Sequence, residues 1–304
     1  MRKITILLAM LMALLQLSCT QMSPATGGSG SGVVVLDIGH FIGGDGACTP
    51  GPVNGKRLTE CTWWYQYVYY TKKVIEDAGY TCIVTNRGYA PTTEPLAGYA
   101  RRAGVVQLNH PDKNGARYPS QYHPDRVAGG MVSADYAIRR KADCVVFLHH
   151  NSAGGWTNGP SPSLIICNKH NGNRLGRALA RTLERTVLNH GMDNGGRGCA
   201  VTVRSKDADR SAGWMNACDD SGIPAAVIEC AFLNNRKHAE YLATDSGARR
   251  YAEAVGQGVV NYMRYFGKEK RHYRADEDAA DEGSFGYAAE SRRLNVPGAK
   301  RLLH

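Results

Sequence analysis

Five side chains of this sequence could do chemistry if the fold gathered them: His40, Glu60, His149 or its neighbour His150, and Glu229. Imidazole and carboxylate are the ligands of a catalytic zinc site, in which three protein groups bind the ion and a fourth position stays open. A bound zinc lowers the pKa of water towards about 7 and polarises a carbonyl. A further carboxylate that is not a ligand can take a proton and return it to a leaving amine. No local motif of the HExxH kind joins these residues, so only tertiary structure can bring them together. Each also has a plain role. A histidine after an apolar strand is more often a hydrogen-bonding residue than a ligand, and Glu60 opens a helix, where the dipole favours an acid. Glu229 is the exception: a carboxylate inside "PAAVIECAFL" is costly to bury unless it is paired or used.

The elements that must position them alternate along the chain. "VVVLDIGH" is a short buried strand ending at His40, and "CVVFLHHNSAGG" is another that runs into His149 and His150. Continuous apolar runs of this kind belong to strands covered on both faces, as in parallel sheets. Ligands of such sheets bind beyond the carboxyl ends of the strands. A helix is expected from about 62 to 77, stopped by Gly79, followed by the strand "YTCIVTNR"; together they make a parallel crossover unit. A short helix near "SADYAIRRKA", a strand "PSLIIC", an amphipathic helix carrying Leu175, Leu179, Leu183 and Val187, and a last helix over about 246–265 continue the pattern. The expected fold is a single α/β domain over 33–266: a mostly parallel twisted sheet, helices on both faces, and the site at the carboxyl edge. Residues 88–132 are polar and rich in Gly, Pro, Tyr and His, and read as an insertion forming a substrate-facing loop or lid. Its His110 and His123 read as surface residues. In "WWYQYVYY", Trp64 and Val68 are expected to face the core, which leaves Trp63 or Tyr67 to face a cleft.

The ends of the chain bear on location. Residues 1–19 have a basic start and an apolar segment of about a dozen residues, the layout of a signal peptide and too short for a membrane span. They end at Cys19, in a loose lipobox, which leaves two outcomes open: a lipid anchor to the membrane at Cys19, or ordinary signal cleavage a few residues later near "SPATGG". Residues 20–32, "TQMSPATGGSGSG", form a flexible linker. Residues 267–304 alternate blocks of charge and read as a disordered tail. The formal net charge of +10 favours an anionic partner, and the export signal makes nucleic acid a poor choice. Beyond Cys19 there are eight cysteines and no CxxC pair. Disulfides are therefore plausible in an exported protein, with the pairing open, and a structural zinc knuckle is not indicated.

"VVVLDIGHFIGGDGA", "LTEC" before a helix, "CVVFLHHNSA" and "IPAAVIECAFLNN" occur in the order and approximate spacing of the zinc-dependent N-acetylmuramoyl-L-alanine amidases of the amidase_3 family, which the chain resembles over about 33–265. The resemblance implies one zinc per chain held by His40, Glu60 and His149, since His149-His150-Asn151 falls on the family's H-A-N. It implies Glu229 as the catalytic acid–base, with Asp37 and Asn151 as supporting or substrate-side residues. The implied reaction is hydrolysis of the amide between N-acetylmuramic acid and L-alanine in peptidoglycan, in the periplasm or cell envelope, with a protein activator as a further partner. Two other readings fit a related scaffold: a zinc peptidase cutting within the stem peptide, and a catalytically silent wall-binding adaptor. Three departures from the family pattern concern the cleft. Phe41 and Ile42 separate His40 from Gly43-Gly44, His150 replaces a small residue, and so does Cys230.

Overall fold

A computed structural model describes residues 32–42, 46–88, 90–108, 129–159, 161, 163–169, 172–203 and 213–266. The signal segment with Cys19, the linker up to residue 31, the charged tail, and His110 and His123 lie outside the described residues.

Fourteen elements follow one another: β1 (Val33–Ile38), α1 (Glu60–Asp77), β2 (Thr81–Asn86), α2 (Leu96–Ala103), β3 (Val106–Gln107), α3 (Gly129–Arg139), β4 (Cys144–Leu148), β5 (Ser163–Cys167), α4 (Gly172–Thr186), β6 (Cys199–Val203), α5 (Gly213–Asp220), β7 (Ala225–Glu229), α6 (Arg236–Ala243) and α7 (Asp245–Phe266). The strands form one sheet in the order β3-β2-β1-β4-β7-β5-β6. All pairs are parallel except β5 with β7, so the α/β reading holds with one antiparallel seam.

Alternation along β1 explains the layers. Val34, Leu36 and Ile38 point to one face, where they meet Trp64, Val68 and Ile75 of α1, Leu175 and Leu179 of α4, and Val255 and Val259 of α7. Val35 points to the other face, with Val145 and Phe147 of β4 and Val227 of β7, under Ala134 and Ala137 of α3 and Met215 of α5. Helices thus cover both faces, and the central strands are apolar on both sides as the sequence requires. All eight described cysteines are free thiols and all but Cys48 are buried, so they serve as small core side chains and not as cross-links. Among the described residues, no helix is long and apolar enough to cross a membrane.

Two expectations change. The first part of the 88–132 stretch is not a plain loop: α2 packs beside α1, and β3 extends the sheet beyond β2. Their brevity hid them, because eight- and two-residue elements carry little periodicity. Trp63 does not face a cleft either; it is 2% exposed and its indole N–H donates to the carbonyl of Leu242 at 3.0 Å. Its position is set by the closure of α1 against the α6–α7 corner.

The α1–α7 contact is close enough to need glycine. A Cβ on Gly256 of α7 would lie 2.7 Å from the Thr71 carbonyl oxygen and 2.9 Å from the Val74 Cβ of α1. Helix propensity alone favours alanine here by about 1 kcal/mol. The contact predicts the opposite sign: Gly256→Ala should lose about 1–3 kcal/mol, seen as a lower urea midpoint.

Candidate metal centre

The three adjacent strands β1, β4 and β7 run parallel, with Ile38 opposite Leu148 and Leu148 opposite Ile228. Their carboxyl ends therefore finish level, about 4.8 Å apart. The ladder continues past them: Gly39 N–H donates to the Leu148 carbonyl at 3.0 Å and His149 N–H to the Ile228 carbonyl at 3.2 Å. His40, His149 and Glu229 stand at these ends, and Glu60, the first residue of α1, comes down among them.

His40, Glu60 and His149 each offer one donor atom, and these atoms lie within 4.8 Å of one another. Glu60 is the hub. Its Oε2 lies 3.3 Å from His40 Nε2, and its Oε1 lies 2.8 Å from His149 Nδ1. Two backbone amides donate to the same carboxylate, Ala47 to Oε2 at 2.7 Å and His150 to Oε1 at 3.0 Å. The rings of His40 and His149 meet edge to face with centroids 5.1 Å apart. Gly39 is required by this approach, since a Cβ there would fall 2.5 Å from His149 Cε1. His40 itself sits at φ +59°, a left-handed turn that aims its side chain back over the strand end.

The electrostatics follow from burial and charge. Burial opposes ionisation of Glu60, yet the imidazoles and amide hydrogen bonds outweigh it and hold the carboxyl below the usual range. Burial likewise opposes a charge on His149, but Glu60 beside it wins and lifts the imidazole to about 9. For Glu229 burial dominates and raises the carboxyl to about 8, with Glu60 adding to the rise and His149 opposing it. Its Oε2 is shut off from solvent without a hydrogen-bond partner among the described residues. The donor set, two imidazoles and one carboxylate, is the chemistry of a catalytic zinc site, and a carboxylate already ionised and fixed by two amides is suited to hold a dication.

The remaining residues named from sequence sit elsewhere. Asp37 points to the opposite face of the sheet, where its Oδ1 accepts from Thr85 Oγ1 at 2.9 Å and from the Ser133 hydroxyl; burial pushes it up to about 6 against those bonds. It ties β1 to β2 and α3 and is not among the clustered donors. Asn151 caps its own turn, Oδ1 accepting from Ser152 N–H at 2.8 Å, while its backbone bonds Ala231 at 2.7 Å and Leu233 at 2.8 Å. It thereby joins the segment after β4 to the segment after β7. His150 turns away from the donors into an aromatic nest of Trp63, Trp64 and Tyr251, and burial keeps its ring neutral, at about 3. Sequence reasoning missed Asn86, the last residue of β2. Its side-chain amide donates to the carbonyls of Ile38 and His40, both at 2.8 Å, and so fixes the His40 turn. The signal was an amide side chain closing the strand next to β1.

The model of the Amidase_3 family, N-acetylmuramoyl-L-alanine amidase, matches residues 34–261. The chain belongs to this amidase family. Its members are N-acetylmuramoyl-L-alanine amidases, which act on cell-wall peptidoglycan, and the chain is similar to several solved structures. The CwlD amidase of Clostridioides difficile, in complex with the GerS lipoprotein, is 16% identical, with 77% of this chain and 99% of that one covered and a TM-score of 0.50. The amidase AmiC2 of Nostoc punctiforme is 17% identical over 78% of this chain and 99% of its own, with a TM-score of 0.48. An amidase of Clostridium difficile 630 is 18% identical over 78% and 100%, also with a TM-score of 0.48. No curated protein matches the chain.

The site makes the metal-free amidase sensitive to pH. His149 is raised from 6.5 to about 9, so the stability of its pair with Glu60 is complete below pH 6.5 and is lost as pH rises through 9. Glu229, raised from 4.5 to about 8, acts in the same direction between those values. Chelator-treated protein should therefore melt roughly 5 °C lower at pH 9 than at pH 5.5. Glu229→Gln should remove the slope below pH 6.5 and lessen it between 6.5 and 8, leaving the part that His149 contributes.

Proposed function

We propose that this amidase works through one zinc ion held by His40, Glu60 and His149, with Glu229 as the catalytic acid–base, on the muramoyl–L-alanine amide of peptidoglycan. The observation that supports this most is the convergence of three donor atoms within 4.8 Å at the carboxyl ends of neighbouring strands, beside a fourth acidic residue that is not part of the cluster. Bound there, zinc supplies Lewis acidity to a carbonyl and brings the pKa of a water towards neutrality. The protein's own groups do the rest. Glu60 and the two imidazoles fix the ion; Glu229 takes a proton from the attacking water and delivers it to the departing alanine nitrogen. Burial favours the protonated form of this carboxyl, which helps it hold that proton between the two transfers. Asp37 and Asn151 support the reaction by fixing β1 and the loop after β4.

Residues 33–266 are the catalytic unit in this reading, and the chain is exported to the periplasm or envelope by residues 1–19, with Cys19 as the lipid attachment point. A protein partner belongs to the same reading, as CwlD has in GerS. The net charge of +10 suits an anionic wall.

The decisive experiment incubates residues 20–304 with purified muropeptides and reads the products by mass. Zinc-loaded protein should release free stem peptide and intact disaccharide. Chelation should abolish release, and Glu229→Gln should lower it by about 10²–10⁴ while still binding one zinc. Cuts within the stem would indicate a peptidase, and zinc binding without products would indicate an adaptor.

A further inference from the structure

The two residues that separate His40 from Gly43-Gly44 form an apolar step at the rim of the metal centre. Phe41 is 41% exposed and Ile42 38%, next in sequence to a metal-type donor. Single exposed apolar residues are ordinary, but Phe41 sits in a built seat. Asn86, fully buried, bonds the carbonyls of Ile38 and His40 on one side and accepts from Gly88 N–H at 2.8 Å on the other. Gly88 is the floor: a Cβ there would stand 2.8 Å from Phe41 Cβ and 2.9 Å from Asn86 Oδ1. Arg87 lies over the Phe41 ring, its Cζ 5.1 Å from the centroid. The tripeptide Asn86-Arg87-Gly88 thus holds an aromatic ring out in solvent, where it forgoes the free energy that burial would give.

We propose that Phe41 is a substrate-binding residue that presents its open face to the C–H face of the muramoyl pyranose; the inference rests on the amidase reading above. The aromatic face carries a negative quadrupole and attracts the polarised C–H groups of a sugar. Arg87 pins the ring by a cation–π contact and so lowers the ordering cost of stacking. Every muramoyl amide carries its pyranose a lactyl unit away from the carbonyl to be cleaved. Phe41 is one residue, 3.8 Å between Cα atoms, from a group that would hold the ion at that carbonyl. A sugar bound at the centre therefore comes within reach of the ring.

Wild type, Phe41→Ala and Phe41→Tyr are compared on a disaccharide–pentapeptide and on the N-lactoyl pentapeptide that lacks the sugar. Phe41→Ala should cut the ratio of kcat/KM between these substrates about tenfold, mainly through KM, and Phe41→Tyr should restore it. An unchanged ratio, or an equal fall on both substrates, overturns the proposal. In parallel, the disaccharide–pentapeptide is bound to zinc-loaded Glu229→Gln protein and followed by saturation-transfer NMR. Strong transfer to pyranose protons that Phe41→Ala removes supports the proposal. Transfer confined to the peptide, or no binding, overturns it. Should wild type release no stem peptide while the sugar still binds at Phe41, the amidase reading fails and the sugar platform stands.

Discussion

A carboxylate that is 1% exposed stays ionised only if its surroundings compensate for the lost water, and Glu60 has four partners that do so. Two are rings at the ends of β1 and β4, and two are backbone amides, of Ala47 before α1 and His150 after β4. Each partner arrives from a different stretch of chain. The helix start, the segment around Ala47 and two strand ends must therefore be placed together or not at all. Removing one partner leaves a buried charge short of a bond, which costs more than the bond itself contributed.

Much of this was legible in the sequence because it was written in patterns with long reach. Apolar runs ending in His40, in His149 and at Glu229 announce strands buried on both faces, and parallel strands must end at a common edge. The α1, α4 and α7 faces follow from spacing. Resemblance was needed to choose between His149 and His150, since consecutive residues point to opposite sides of a strand and either assignment satisfies the pattern. In the structure the two rings part company: that of His149 meets Glu60, and that of His150 has an aromatic nest.

What sequence did not reveal was short or undirected. β3 has two residues, and α2 fills only two turns of a stretch rich in glycine and tyrosine. "SLIIC" reads alike in either direction, so the antiparallel pairing of β5 with β7 left no trace. Asn86 looks like any polar strand end until its amide is seen bridging two carbonyls of the neighbouring turn. Trp63 was misplaced because helical spacing gives only one face, while α1 is covered by the sheet, by α2 and by α7.

The reversed direction of β5 has a geometric consequence. Because β5 runs against β4 and β7, the chain leaving His149 need not cross to the far edge before entering its next strand. It stays on the same edge and passes over the end of β7, pairing Asn151 with Phe232 and Thr157 with Asn235. The stretch from 150 to 159 is thus an arch and not a crossover, and its Thr157 carbonyl accepts from the N–H of Arg236, the first residue of α6, at 3.0 Å. Between those two bridges a Cβ on Gly155 would meet nothing within 4 Å, so the crown of the arch can take a new side chain while every strand and every metal-type donor keeps its place.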